Sequence, residues 1–452
     1  MNKGGTTFKA SFKGTFFIGG GFMAYQNQRG TYDAFDEEAL NIENVVETLK
    51  DIVKFYGYNP IHTPLYEQTE LFARTSGESS DIVTKEMFTF TDKGGRNITL
   101  RPEVTAGAIR AIVNNKLYAT KDLPLKYYYY GPTFRYERPS KGRYRQFNQF
   151  GVECVGVNSY LSDVETISLG FNALQTLGFE NIVLKINTLG DEESRKNYQV
   201  ALREFFKDKI QNMCDDCKRR YETNVLRILD CKDPEDQEII KQAPKMKDYL
   251  NENSKDYFAK VLSLLDEQQI PYEIDDTLVR GLDYYSHVVF EYHYYLKDGT
   301  SIGAIGAGGH YDNLVSEIGG PALSSVGFAI GIERVNTLLK ELMPESLEKT
   351  SLDVYIIHMG EETLQTSFIL MQELRNNCFK VDMCLENKSL GQQFKIANRK
   401  NAKFALIIGE NEMKSYVYPV KNLKTTVQEE VDYHDLIDYL TNKIVFEEEE
   451  EC

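Results

Sequence analysis

Residues 126–153 read KYYYYGPTFRYERPSKGRYRQFNQFGVE. The opening aromatic run predicts a buried β-strand. A second strand takes in Phe134, Arg135, Tyr136, Glu137 and Arg138, and a third occupies 145–153. Between them Pro139, Ser140, Lys141 and Gly142 have the chemistry of a tight polar turn. This antiparallel hairpin sets Arg135, Arg138, Lys141, Arg143 and Arg145 against Glu137. The planar fork of arginine matches phosphate oxygens, so the tip points to a polyanion. A charge run is ordinarily a solvated turn, and two features oppose that reading here. The charges alternate with aromatics at strand period, which puts several on one face. Arg135, Gln149 and Glu153 also sit inside apolar strand text, where an unpaired polar group is costly.

The chain has 452 residues, enough for two to four domains with real cores. At 42% hydrophobic and 27% charged it has the composition of a soluble globular chain. The net charge of −16 argues against promiscuous electrostatic binding of nucleic acid, though a local basic patch suffices for specific binding. Seven cysteines, an odd and sparse count, point to a reducing compartment, and the expected location is cytoplasmic. No apolar run approaches a membrane span. Residues 1–22 carry Lys3, Lys9 and Lys13 and no acid. They read as a non-native or disordered extension, with Gly19, Gly20 and Gly21 a translated ribosome-binding site ahead of a natural start at Met23.

Residues 36–56 predict an amphipathic helix, with Leu40, Val45, Val46, Leu49, Ile52, Val53 and Tyr56 at helical spacing and Gly57 ending it. Strands are expected at 86–91 and 97–103 and a helix at 105–113. A helix at 160–177 and a strand at 182–188 follow. These segments, 23–190, form one domain with 263–340. Charged helical text at 191–262 interrupts it as a helical insertion. A polar linker at 341–351 leads to alternating strand and helix text over 352–443, an α/β unit. The acidic tail, 444–452, is expected to be disordered.

Three further stretches carry chemistry. In SVGFAIGIER, 325–334, Val326, Phe328, Ile330 and Ile332 share one strand face and Gly327, Ala329 and Gly331 the other. A glycine-lined face admits something flat, such as an adenine ring with Arg334 near its phosphates; close helix-on-sheet packing would use it equally well. RGLDYY, 280–285, and TLRPEVT, 99–105, would alone pass for a loop and a strand end. Cys214, Cys217 and Cys231 fall one ligand short of a tetrahedral site and have no histidine nearby, so a structural zinc is not expected. No Walker loop, dinucleotide fingerprint or nucleophile elbow is present.

Together these stretches resemble the histidyl-tRNA synthetases, a family of class II aminoacyl-tRNA synthetases, over residues 29–443. The segment 58–67 with Pro64 is similar to the class's first motif, a dimer-interface element. FRYERPSKGRYRQF at 134–147 is similar to the second and GFAIGIER at 327–334 to the third. TLRPEVTAG and RGLDYY resemble histidine-specific elements, and 385–410 resembles the family's anticodon-binding domain. The resemblance implies an α+β fold: an antiparallel-sheet catalytic domain with a helical insertion, plus a C-terminal α/β anticodon-binding domain.

It also implies the chemistry. Histidine and ATP, with Mg2+, give histidyl-adenylate and pyrophosphate, and the histidyl group passes to the 3′ end of tRNA(His), in a homodimer. Arg135 and Arg280 take the catalytic roles on the α-phosphate. Glu103, Thr105, Gln149, Glu153, Arg280, Tyr284 and Tyr285 hold histidine. Glu137, Arg143 and Arg334, with Arg135, hold ATP. Two positions depart from the family pattern. His310 in AGGHYD replaces an arginine, which bears on the third motif's geometry, and Ser140 stands where a glutamine is common at the tip facing the tRNA end. The rival reading is the non-catalytic regulatory subunit of ATP phosphoribosyltransferase. Such chains typically lose the arginine of RGLDYY and often the C-terminal domain, and this chain keeps both.

Overall fold

A computed structural model describes residues 25–451 except 78, 79, 81, 345, 346 and 348. The extension at 1–22 lies outside the described residues, as do parts of the linker.

The helix Asp36–Phe55 forms where periodicity predicts it, with three acids in its first turn and Ile42, Val45, Val46, Leu49 and Val53 buried along one stripe. Gly57, at φ 78°, takes the left-handed conformation that ends it. The chain then enters β1 (Asn59–Pro60). Three short strands, β2 (Tyr66–Gln68), β3 (Phe88–Thr91) and β4 (Asn97–Leu100), make a small sheet in the order β2–β4–β3. The main sheet continues with β5 (Leu125–Phe134), β6 (Gln146–Val155), β7 (Ile182–Thr188), β8 (Tyr272–Ile274), β9 (Ser286–Tyr295), β10 (Ser301–Tyr311) and β11 (Ser325–Gly331). Its order is β1–β5–β6–β11–β10–β9–β7–β8. Only the two edge strands, β1 on β5 and β8 on β7, pair in parallel.

Strand alternation assigns the two faces different tasks. In β6, Phe150, Val152 and Cys154 join the helices Asp36–Phe55, Tyr160–Thr176 and Ile332–Leu342 in one apolar core. Gln149, Gly151 and Glu153 point the opposite way. The C-terminal unit has a mixed sheet of β12 (Leu352–His358), β13 (Val381–Met383), β14 (Ala402–Ile408), β15 (Val417–Asn422) and β16 (Gln428–Asp432), in the order β13–β12–β14–β15–β16. It has cores of its own.

The structure corrects three boundaries. The hairpin has two long strands, not three segments. Phe134 ends β5; the Arg135 amide still donates across the hairpin to Arg145 O, and the chain leaves the ladder from Tyr136, whose amide donates to Glu86 O instead of a hairpin partner. The insertion ends sooner than 262. Its own core runs from Tyr198 to Leu250, whereas Val261 and Leu265, four apart on the helix Glu252–Glu267, pack against the main sheet. The acidic tail continues the helix Leu436–Glu451, which seats Leu436, Leu440 and Ile444 on the C-terminal core, and glutamate is a good helix former with no breaker to stop it.

His310 lies in a continuous β10–β11 ladder, whereas the register of β10 with β9 shifts between Gly309 and His310. It is fully buried in β10, whose register with β11 runs unbroken from Gly306 to Tyr311. Its Nδ1 meets Asp163 Oδ1 at 2.8 Å and its Nε2 meets Asp312 Oδ1 at 3.1 Å. Asp312 also accepts from Ser286 and Ser324, and Asp163 from Tyr257. Burial lowers the imidazole pKa, but the two carboxylates outweigh it and raise it to about 10. The side chain is therefore a cation at neutral pH, as an arginine would be.

Because the folded-state value lies above the ordinary 6.5, this tie stabilises fully below about pH 6.5 and loses its effect as pH rises through about 10. His310→Ala is expected to destabilise the catalytic domain by roughly 3–5 kcal/mol at pH 6 by leaving buried carboxylates unpaired. Urea unfolding of both proteins across pH 6–10 should show the gap narrowing as pH rises; a gap independent of pH would refute the ionic role.

Candidate active site

The fold brings all eleven site residues expected from the sequence onto one cavity of about 320 Å³. Gln149 and Glu153 reach it from β6. Glu103 and Thr105 come from the turn that starts the helix Thr105–Asn114. Arg280, Tyr284 and Tyr285 come from the loop before β9. Arg135, Glu137 and Arg143 descend from the hairpin tip, and Arg334 from the first turn of the helix Ile332–Leu342.

The deep end is built around Glu153, which is 1% exposed. Its Oε1 accepts from Thr105 Oγ1 at 2.6 Å and from the Tyr129 hydroxyl at 3.2 Å, and its Oε2 accepts from the Tyr311 hydroxyl at 2.5 Å. Burial, only partly offset by these bonds, pushes its pKa up to about 8. Its carboxyl is therefore mostly protonated at neutral pH. Gly327 of β11 lies opposite, and a Cβ there would stand 2.1 Å from Glu153 Oε2 and 2.5 Å from the Val152 carbonyl oxygen. The glycine face of β11 thus makes room for a carboxyl.

Nearby polar groups are held but incompletely satisfied. Glu103 Oε1 accepts from the Ala106 amide at 3.0 Å, whereas its Oε2 has no partner. Burial raises the Glu103 pKa. Gln149 Oε1 and Arg280 Nε are also buried without partners. Arg280 Nη1 donates to Glu291 at 2.5 Å, and its guanidinium lies 5.7 Å from the Tyr285 ring centre. Tyr284 and Tyr285 are buried, with ring centres 4.5 Å apart. Buried polar atoms are nearly always paired, so three orphans on one cavity mark where a polar ligand sits.

The outer end is cationic. Arg135 Nε donates to Pro102 O at 2.8 Å, which fixes its guanidinium beside Phe147 at 5.4 Å. Glu137 lies 3.9 Å from Arg135 and 3.7 Å from Arg143, contacts too long to satisfy either arginine. Arg334 Nε donates to Ala304 O at 3.0 Å, and its Nη2 donates to Ile302 O. The glycine and alanine positions of β10 and β11 floor the space between these arginines.

Sequence reading missed Tyr129, Tyr311 and Glu291. Tyr129 hides in a run of four tyrosines, yet in the hairpin register it faces Gly151, where a Cβ would meet its hydroxyl at 2.4 Å. That glycine is the signal. Tyr311 adjoins His310 in AGGHYD. Glu291 and His293 sit two apart in β9, and His293 Nε2 lies 2.9 Å from Glu291 Oε2, so the pair could have been read as one polar face.

A domain of this kind, with arginines at one end of a cavity on an antiparallel sheet and buried carboxyls at the other, is suited to activating an amino acid with a nucleotide. It is the catalytic architecture of a class II aminoacyl-tRNA synthetase. Residues 30–335 match the histidyl-tRNA synthetase family model, and residues 353–443 match the anticodon binding domain. The histidine–tRNA ligase of Geobacillus sp. (strain WCH70) is 44% identical over 428 residues, 93% of this chain and all of that one. The Bacillus subtilis (strain 168) histidine–tRNA ligase is 44% identical over 92% of this chain and 98% of its own. The apo S. aureus histidyl-tRNA synthetase superposes with a TM-score of 0.78 at 36% identity, covering 92% of this chain and all of that structure. The chain belongs to the histidyl-tRNA synthetase family. As a member it is an aminoacyl-tRNA synthetase, charging tRNA with histidine.

Gly327→Ala is expected to displace the Glu153 carboxyl, since the Val152 backbone on the other side of the new methyl cannot give way. Histidine affinity should fall at least about tenfold, as a ligand hydrogen bond to a buried group is lost. Equilibrium binding by calorimetry would show it; unchanged affinity would mean that Glu153 does not contact histidine.

Proposed function

We propose that the deep end binds the histidine substrate and the cationic end binds ATP. The observation that carries this is the convergence of Glu103 Oε2, Gln149 Oε1 and Arg280 Nε, buried and unpartnered, on one cavity. Glu103, Thr105 and Gln149 take the substrate ammonium. Glu153, with Tyr284 and Tyr285, takes the imidazole. A protonated carboxyl both donates and accepts, as a neutral imidazole does, so the two are complementary. A side chain lacking either function leaves a buried polar group unpaired, which is the basis for rejecting it.

The substrate carboxylate then attacks the α-phosphorus of ATP. An O–P bond to the carboxylate forms, the bond to pyrophosphate breaks, and histidyl-adenylate results. The nucleophile is already an anion, so the residues supply position and charge, not a base. Arg135 and Arg280 flank the α-phosphate, and Arg143 and Arg334 hold the outer phosphates, with Phe147 and the glycine floor admitting the adenine ring. Glu137, whose arginine contacts are loose, would be the carboxylate to hold Mg2+ arriving with the nucleotide, and that ion would supply neutralisation of phosphate charge. A ribose hydroxyl at the 3′ end of tRNA(His) next displaces AMP, with the Ser140 tip facing the acceptor end.

The working unit in this reading is a cytoplasmic homodimer. Leu65, Tyr66 and Phe90 on the small sheet and its approach keep 43–57% of their surface exposed, which favours a partner there. Among the described residues no helix is long and apolar enough to cross a membrane. A structure titled an ATP phosphoribosyltransferase regulatory subunit/histidyl-tRNA synthetase, from Bacillus halodurans C, shares the fold at 19% identity and a TM-score of 0.62. Retention of Arg280 in the cavity and of the C-terminal unit favours the catalytic reading over the regulatory one.

Histidine-dependent ATP–pyrophosphate exchange tests the scheme; a folded protein without exchange would refute it. Arg280→Ala should cut the exchange kcat by about 10²–10³-fold, the scale of losing one donor to developing charge, with a much smaller rise in the KM for histidine. Equal losses in both would make Arg280 a ground-state binder.

A further inference from the structure

The helical insertion contains four side chains that the reaction does not use. Cys214, Cys217, Cys231 and Asp236 direct one ligand atom each into a common space, with all four atoms within 4.8 Å of one another. Cys217, Cys231 and Asp236 are buried, at 0%, 4% and 2% exposure. The fourth ligand missing from the sequence is thus an aspartate five residues beyond the last cysteine, brought in by the short helix Pro234–Ile240. We propose that these residues hold a structural zinc ion, reversing the expectation from the cysteine count.

Several observations converge. Cys214 Sγ and Cys231 Sγ lie 3.7 Å apart, far beyond a disulfide. Two sulfurs on a tetrahedral zinc at about 2.3 Å would be separated by about 3.8 Å. Backbone amides already point at the ligand atoms. The Cys217 amide donates to Cys214 Sγ at 3.4 Å, the Asp233 amide to Cys231 Sγ at 3.4 Å, and the Cys214 amide to Asp236 Oδ2 at 3.2 Å. Such bonds orient the ligand atoms toward a common centre, as the outer contacts of a metal site do. Cys214 also caps the helix Asp215–Thr223, which fixes the position of its sulfur at the helix start. Three cysteines and one carboxylate complete a closed four-coordinate set with no open position, the signature of a structural site.

The site would act on the active site at a distance. Asn224 and Arg227 lie between Cys217 and Cys231, Asn224 as the N-cap of the 3-10 helix Val225–Asp230 and Arg227 within it. Asn224 Nδ2 donates to Asp283 Oδ1 at 2.8 Å, and Arg227 Nη1 donates to Gly281 O at 2.8 Å. Both acceptors belong to the loop that carries Arg280, Tyr284 and Tyr285. An ion that pins both ends of the bracing segment would hold that loop in place.

The full-length protein, made without a metal-binding tag and purified in reductant, should contain about one zinc per chain by plasma mass spectrometry. Cobalt replacement should give thiolate-to-metal charge-transfer absorption. Asp236→Asn and Cys231→Ser should lower the zinc to below about 0.2 per chain, whereas Asp236→Cys, supplying a fourth thiolate, should keep it. Cys378→Ser, at an exposed thiol outside the cluster, should change nothing. Stripping the metal should raise the KM for histidine more than that for ATP. A folded, active wild-type protein that is metal-free and takes up neither zinc nor cobalt overturns the proposal. Full zinc retained by Asp236→Asn, or a Cys214–Cys231 disulfide in the reduced preparation, overturns it as well.

Discussion

The constraint on which the catalytic domain depends is the burial of the Glu153 carboxyl in the middle of a β-sheet. An acid at that depth is tolerable only if its oxygens are bonded and its charge is suppressed. Both conditions are met by residues from separate parts of the chain. Thr105 comes from a helix start, Tyr129 from the neighbouring strand, and Tyr311 from two strands away. The space for this cluster comes from glycines, Gly151 under the Tyr129 ring and Gly327 against the carboxyl itself. The sheet's order is thereby tied to the site. β6 must lie between β5 and β11 for the tyrosine on one side and the glycine on the other to meet the same acid.

The same logic sets the electrostatic division of the cavity. Carboxyls lie deep, where burial holds them toward the neutral form, and arginines lie at the mouth, where solvent and bound phosphate can satisfy them. Arg135 and Arg334 are braced by hydrogen bonds to backbone carbonyls, and Arg135 has only a long 3.9 Å contact with Glu137, so their charge is left largely for a polyanion. Arg280 is the exception. It is paired with Glu291, it sits where the two ends of the cavity meet, and its Nε remains free for a ligand spanning both.

Much of this could be read in the sequence, because the decisive residues are misfits in their local text. A glutamate in an apolar strand, alternating glycines in another and five cations on a hairpin tip each break a pattern that packing alone would keep. What escaped was long-range pairing. Tyr129 looked like one more aromatic in a buried strand, since its role depends on register with β6 and not on its neighbours in the chain. His310 read as a departure because the sequence does not show that Asp163, 147 residues earlier, lies 2.8 Å away and keeps the imidazole charged. The insertion boundary differs because the helix Glu252–Glu267 opens in charged text, while the residues that tie it to the main core, Val261 and Leu265 with Tyr257, Phe258, Leu262 and Leu264 beside them, do not show in sequence which core they join.

Asp236 illustrates the same limit and shows what the insertion contributes. Cysteine spacing alone left three ligands and an open question, because an aspartate in charged helical text carries no mark of its own. In the fold it is 2% exposed among three thiols, a position that charged side chains occupy only when something pairs with them. The insertion buries little against the main sheet through its middle, having a core of its own, yet it reaches the histidine loop through Asn224 and Arg227. That loop is otherwise irregular and must present Arg280, Tyr284 and Tyr285 to within hydrogen-bonding tolerance. With the loop braced from outside, its cavity face carries the Arg280–Glu291 pair and leaves Arg280 Nε positioned without being satisfied in advance.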